Sequence, residues 1–464
     1  MNTTLKTGLT LMVVALTACT TGSSTSSSSP AGDGPGGAGA GAQGGAVDAR
    51  FFLPTGEPNN TSAPVVEVDR DGNTHALYPA YVGGGAYYAF CARGCAGTDA
   101  VKVVRLETQG TVGNAMLALD ANGRPRVLLS AYSTVYWGEC DVDCTQRGSW
   151  KLAAIDRHDS DREVTGEALA LDADGRPRYL SHTYRAYLGI GQKEPATWYV
   201  SCDAACDEPA SWKSARISNQ MWQGSTLRFD AKGRAHVATV AVGAGADNQD
   251  LAAYVRCDGD CGNEASWVGT GLTPAYESNT DAVPIKPTVS LAVTRAGEPR
   301  VLVLAAQNAK RALVYFECEG DCRAAGAKWE GTVVSDHEKL GVGADLVLDG
   351  QDRPRYVYTL DYNIILGRCD GPGCAGPEAP WSLTKVEMGA DMPPDQIFLY
   401  PNCTVGAWFL HSPSIALTAD GQVRVGYQAR DVSGGLSRPD KTKPACVAGT
   451  DMTWSRLALL SKVN

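Results

Sequence analysis

Several things this chain lacks narrow what it can be. Past its first two dozen residues it has no apolar run long enough to span a bilayer as a helix. It has no basic stretch or basic face: 41 Lys and Arg are interspersed with 51 Asp and Glu, for a net charge of −10. Nucleic-acid binding needs clustered positive charge, so this balance excludes a nucleic-acid partner and docking onto anionic lipid headgroups. There is no Gly-x-Ser-x-Gly elbow, no His-Glu-x-x-His and no phosphate-binding glycine loop. Histidine is scarce, six in all, and none recurs beside the cysteines, as a repeated zinc site would require. No cofactor and no metal are expected, and no catalytic residue is nominated.

The N-terminus carries export chemistry. Lys6 supplies a positive start, Leu9 to Ala15 a short apolar stretch, and Leu16-Thr17-Ala18-Cys19 ends it. This tetrapeptide resembles the lipobox of bacterial lipoproteins. The resemblance implies cleavage after residue 18, diacylglyceryl attachment to Cys19 and acylation of the new amine. A partner membrane would then be reached through lipid on Cys19, and Thr20 after the cysteine leans toward the outer membrane. Residues 19–46 are Ser-, Gly- and Ala-rich with no apolar anchor, so they cannot fold alone. They read as a tether about 30 Å in reach. The expected organisation is therefore a signal peptide at 1–18, a lipidated tether at 19–46 and one folded body at 47–464.

That body is a repeat. LALDANGRPRVLL at 117–129 and LALDADGRPRYLS at 169–181 are the clearest copies, and related ones start at Val66, Leu227, Leu291, Leu346 and Ile415. Repeats of about 50 residues built from short alternating strands predict an all-β fold, a β-propeller of seven four-stranded blades. Strand A is the LALD segment, B the PRVLL segment, C runs into a cysteine and D starts at a tryptophan. Asp and Gly three apart, as at Asp120 and Gly123, fit a type I turn between A and B. Six residues after each Asp comes a basic residue: His75, Arg126, Arg178, His236 and Arg355. Arg300 and Arg424 hold that column where Thr replaces Asp. The column is either a ring that binds an anion or a cross-strand pair supporting each hairpin, and its presence in every unit favours support.

Of 15 cysteines, 14 follow Cys19, an even number that suits an oxidising compartment. Twelve form local pairs at the turn from C to D: Cys91–Cys95, Cys140–Cys144, Cys202–Cys206, Cys257–Cys261, Cys318–Cys322 and Cys369–Cys374. Cys403 and Cys446 remain and are expected to pair with each other. The last unit is irregular: residues 386–414 read as an insertion, and the polar SRPDKTKP stands where strand C should be. Each unit reads A to D with no strand shared across the seam, although ARFFL at 49–53 is available as an extra closing strand.

In a propeller the A–B and C–D turns share one face, and the B–C and D–A loops share the other. The second face carries everything that varies between units, and binding residues concentrate on variable loops held by a rigid scaffold. It is rich in aromatics mixed with imidazoles and carboxylates, which suits recognition of a sugar or a peptide. The ligand-binding candidates are Tyr132, His182, Tyr184, Tyr187, Trp222, Tyr276, His337, Asp361 and Tyr362. In its Asp- and Gly-bearing hairpin turn the repeat resembles the Asp-box repeats of sialidase-type propellers, with Pro-Arg following the Gly in place of that motif's Trp. The resemblance implies the propeller fold; the arginine triad and tyrosine nucleophile of sialidases have no residue-by-residue match here. The expected function is non-catalytic binding of a glycan or an envelope or surface protein by a lipid-anchored envelope protein. The alternatives are a glycan-acting hydrolase or lyase, and a structural subunit of an envelope assembly.

Overall fold

The computed structural model describes residues 47–461 apart from 56–60, 81–83, 132–133, 158–163, 184–194, 277–288, 308–309, 325, 372, 393–407 and 432–451. Among these residues the chain forms seven four-stranded antiparallel sheets arranged as the blades of a β-propeller. Blade 2 shows the pattern. Its strands are Val112–Leu119, Pro125–Ala131, Thr134–Cys140 and Trp150–Arg157, each paired with the next in sequence. Strand B is buried on both faces in most blades, as at Pro125–Ala131 and Ala235–Ala241, because neighbouring blades cover both sides.

The A–B hairpins settle the basic column. Asp120 accepts from the backbone N–H of Asn122 and Arg124, and its other oxygen meets Arg126 Nη2 at 3.0 Å. Arg126 Nη1 donates on to the Cys140 carbonyl at 2.9 Å. Asp172 with Arg178 and Asp349 with Arg355 repeat the contact, each at 2.9 Å, while His75 and His236 reach Asp69 and Asp230 at 3.3 Å. Where Thr replaces Asp, Arg300 turns to Glu298 and Arg424 to Gln422. The column ties strand B to the turn and to strand C. It supports the hairpins, and none of its members is offered to an anion.

The six local cysteine pairs are disulfides with Cα atoms 5.7–6.0 Å apart. In blades 2 to 6 the tryptophan that opens strand D donates its indole N–H to the carbonyl of the second cysteine, as from Trp150 to Cys144 at 2.8 Å. These five disulfide turns therefore carry an indole lock as well as a covalent one, while the Cys91–Cys95 turn of blade 1, where Val101 stands in place of the tryptophan, has only the disulfide. Cys403 and Cys446 lie outside the described residues.

The closing blade departs from the expectation in two ways. Its strands A to C are Trp408–Leu417, Val423–Asp431 and Met452–Leu460, and its fourth strand is the N-terminal Val47–Phe52. A strand is thus borrowed across the seam, correcting the reading that every unit runs A to D on its own. That strand takes in Ala49–Phe52 of the ARFFL segment, with Leu53 just past its end. Trp454, the tryptophan of the last unit and so the residue at which the repeat would start strand D, lies in strand C, where Ala429 is its partner on strand B. The ring closes on blade 1 through Ser414, whose hydroxyl accepts from the Val66 amide at 3.0 Å.

Candidate functional site

Three elements converge on the loop face around blade 6. The first is its B–C hairpin, whose loop is two residues long because Leu360 pairs with Asn363. Such a loop needs positive φ at both positions, and Asp361 (φ 49°) and Tyr362 (φ 61°) supply it. Asn-Gly is the favoured pair there, and a left-handed Tyr costs about 1–2 kcal/mol. Local strain of this kind clusters where a side chain is being held in place for use.

The second element is the D–A loop leading into blade 6. Its turn is closed by the Leu340 amide on the His337 carbonyl and by the Lys339 amide on His337 Nδ1, at 3.0 and 3.1 Å. The Asp361 amide donates to the Lys339 carbonyl, and the Lys339 ammonium lies 3.1 Å from the Asp361 carboxylate. Both side chains are about half exposed, so the pair adds little stability and remains available to a ligand.

The third is Phe409, at the head of blade 7. The Tyr362 ring stacks on it with centroids 3.7 Å apart and planes 10° from parallel. The Leu410 amide fixes the register by donating to the Tyr362 carbonyl. Tyr362 remains 49% exposed, among the few large apolar side chains that are. The outcome is a flat aromatic platform, backed by a second ring and flanked by a carboxylate and an ammonium.

A neighbouring group extends this patch. The Arg311 guanidinium sits 4.4 Å over the Tyr276 ring, donates to its hydroxyl at 2.9 Å, and donates through Nη1 to the Leu340 carbonyl. The loop that carries His337 and Lys339 is therefore held from both sides. Four of the nine candidates, Tyr276, His337, Asp361 and Tyr362, are brought together in this way.

Two others lie elsewhere. Trp222 is 7% exposed, opens strand A of blade 4 and packs edge-on against Trp267 in the core, so its ring offers no free plane. His182 is buried in blade 3, with Nδ1 on the Thr183 carbonyl and Nε2 3.7 Å from Glu167. Burial, the largest single effect, would lower its pKa; Glu167 and the Thr183 carbonyl together outweigh it and turn the shift upward. Glu167 in turn accepts from the Ser225 amide of the next blade at 2.8 Å, so this pair joins two blades. Tyr132, Tyr184 and Tyr187 lie outside the described residues. Lys339, Arg311 and Phe409 were not among the candidates. Phe409 lies in the 386–414 stretch that reads as an insertion in the sequence, whereas strand A of blade 7 begins at Trp408; no local signal marks the other two.

The described residues contain no cluster of three or more His, Cys, Asp or Glu able to hold a metal. Comparison with known families finds no matching family model, and no curated protein sequence matches. Solved structures do resemble the chain. A protein of unknown function from Dyadobacter fermentans is 11% identical with a TM-score of 0.47, over 90% of this chain and 100% of that one. The polysaccharide lyase Uly1 is 9% identical with a TM-score of 0.49, over 88% and 92% of the two chains. The α-L-arabinanase of Penicillium chrysogenum, solved with arabinobiose, is 11% identical with a TM-score of 0.46, over 74% and 98%. At these identities the likeness is one of fold: a seven-bladed propeller whose structural neighbours include glycoside hydrolases and polysaccharide lyases.

Proposed function

We propose that this chain is an exported envelope protein, anchored by lipid on Cys19, whose propeller binds a glycan through its loop face without turning it over. The carrying observation is the Tyr362–Phe409 platform with the Asp361–Lys339 pair at its edge. A pyranose ring presents an apolar C–H face and a rim of hydroxyls. An exposed aromatic plane suits the first, and an adjacent acceptor and donor suit the second. The lipobox-like Leu16–Cys19 and the Ser-, Gly- and Ala-rich 19–46 support an envelope location for that face, and Thr20 supports the outer membrane.

The test is retention of envelope and extracellular polysaccharides on the oxidised protein, with released fragments followed by mass spectrometry. Retention without fragments is expected. Tyr362→Ala should weaken retention at least tenfold, about 1.4 kcal/mol, at unchanged melting temperature. Released fragments would overturn the non-catalytic reading in favour of a glycan hydrolase or lyase. Full retention by Tyr362→Ala would remove the platform from it.

A further inference from the structure

The innermost strands also frame a cavity of about 630 Å³ along the propeller axis, which reaches the A–B turns of blades 1 and 2 at Asp69, Arg70 and Asp120. This is a different end of the molecule from the loop face, and its volume falls in the range of small-molecule pockets, roughly 300–1,000 Å³. Two residues before each turn Asp or Thr, strand A carries Ala118, Ala170, Ala292, Val347 and Ala416 in five blades. In the other two it carries Glu67 and Arg228. These sit on blades 1 and 4, far apart around the ring, and both line the cavity. A column kept small and apolar five times is broken by one acid and one base at the same level of the axis.

Neither group is used up by the fold. Among the described residues no hydrogen bond or ion pair engages the Glu67 carboxyl. Arg228 donates one bond, from Nη1 to the Leu227 carbonyl beside it. Asp345, which also lines the cavity, differs: Ser290 Oγ and the Leu346 and Ile415 amides donate to it at 2.9–3.0 Å, tying blades 5, 6 and 7 together.

We infer that the axial cavity binds a small molecule bearing a single carboxylate, of sugar-acid size, with Arg228 receiving the carboxylate and the Glu67 carboxyl donating to it. A guanidinium matches a carboxylate in geometry and charge. Inside the rim the Arg228 guanidinium supplies one counter-charge, which matches a single carboxylate and leaves a dianion such as sulfate half compensated. The apolar remainder of the lining, Val65, Met116, Ala118, Ala168 and Val347, gives a carbon skeleton somewhere to pack.

The ionisation of Glu67 fits this role. Burial pushes its pKa up to about 7, with Arg228 opposing the shift and Asp345 adding to it. Protonated, it donates; ionised, it repels the carboxylate and competes for Arg228. The other charged groups around it are occupied. His75, its cross-strand partner, is held between Tyr88 and Asp69, and burial keeps its pKa below the usual value. Asp120 at the mouth pairs with Arg124 and Arg126, and Arg424 on blade 7 donates to Gln422. Arg70 is exposed at the rim. The adjoining strand segments of blades 2 and 7, Met116–Leu119 and Pro413–Leu417, bring no charge.

The experiment is calorimetric titration of the full chain with D-glucuronate, D-glucose and inorganic sulfate, a dianion at both values, at pH 6 and pH 8. Glucuronate should bind at pH 6, at least tenfold more tightly than the other two probes, and weaken about tenfold at pH 8. Glu67→Gln keeps a donor and removes the charge, so it should bind glucuronate equally at both pH values. Arg228→Gln should lose binding while melting as the wild type does. Absence of glucuronate binding at pH 6 would overturn the inference, as would equal binding of glucose or full binding by a folded Arg228→Gln. The wild-type and Glu67→Gln titrations decide the matter even where Arg228→Gln does not fold.

Discussion

The regular blade junctions and the closing blade meet the same packing problem with different chemistry. From blade 2 to blade 6, the tryptophan opening strand D reaches back to an aromatic on strand C of the preceding blade. The pairs are Trp150–Tyr88, Trp212–Trp137, Trp267–Tyr199, Trp329–Tyr254 and Trp381–Tyr315, with centroids 4.9–5.7 Å apart. Blade 7 has no such residue on its fourth strand, because that strand comes from the other end of the chain. Phe52 from that strand packs on Trp408 and Trp454. Beside them a buried carboxylate from blade 6, Glu387, meets Arg456 at 2.6 Å and the Tyr427 hydroxyl, and Arg456 stacks on Phe52. A repeat can copy one apolar solution as often as it is duplicated. The strand that seals the ring is not a copy, and the charged cluster fixes it in one register.

If that contrast is right, the largest loss of stability comes from halving the cluster. Arg456 and Glu387 are 1% and 3% exposed. Arg456→Met strands a carboxylate in the core and should cost about 4 kcal/mol in urea denaturation. Pairing it with Glu387→Leu should restore most of that loss, since a buried ion pair is worth much less than the penalty of breaking it. A loss under about 1 kcal/mol for the single change would show that closure does not rest on this cluster.

A regular junction should break more softly. Trp150 is 5% exposed and fills the space between blades 1 and 2. Trp150→Ala should cost about 3 kcal/mol through the cavity it leaves and the lost lock on Cys144. The adjacent junctions keep their own indoles, so hydrogen exchange should rise in blades 1 and 2 and stay unchanged in blades 4 and 5. A uniform rise around the ring would mean the junctions are not the separate units that the comparison supposes.

The same contrast explains what the sequence made legible. The blade count, the six disulfides and the Asp-to-basic pairing are local, each spanning one hairpin or one turn, and each is stated several times over. Repetition turns a weak local signal into a firm one. Trp454 misled because the repeat assigns tryptophan to strand D, whereas pairing here is decided by Val47–Phe52 at the opposite end of the chain. Trp222 misled for a smaller reason: strand A begins earlier than the LALD core implies, which moves it from a loop into the core. On the loop face, Asp361 and Tyr362 announce themselves as an odd pair between two strands. Their partner Phe409 belongs to the next blade and has no spacing relation to them. Glu67 and Arg228 were visible only as exceptions to an alanine column, and an exception means little until the fold places both in one cavity.

The smallest effect concerns the turns, where blades 5 and 7 differ from the rest. Asp230 in blade 4 is buried, which alone would raise its pKa. Hydrogen bonds from the Arg234 side chain and amide, from His236 and from the Lys232 amide outweigh burial and bring it down to about 2 from an ordinary 3.8. A carboxyl held lower in the folded chain than in the unfolded one stabilises the fold above the unfolded pKa and loses that contribution as pH falls through the folded value. The window is therefore about pH 4 down to pH 2, and its size is about 2 kcal/mol. In blades 5 and 7 the hydroxyls of Thr294 and Thr418 accept from the Glu298 and Gln422 amides in the same position. They carry no charge to lose. Asp230→Thr should lower stability at pH 5 and flatten its decline between pH 4 and pH 2, as followed by urea denaturation at each pH. An unchanged decline would mean that the turn carboxylates of the regular blades are not what acid attacks first, and that the turns of blades 5 and 7 differ from the others in residue but not in consequence.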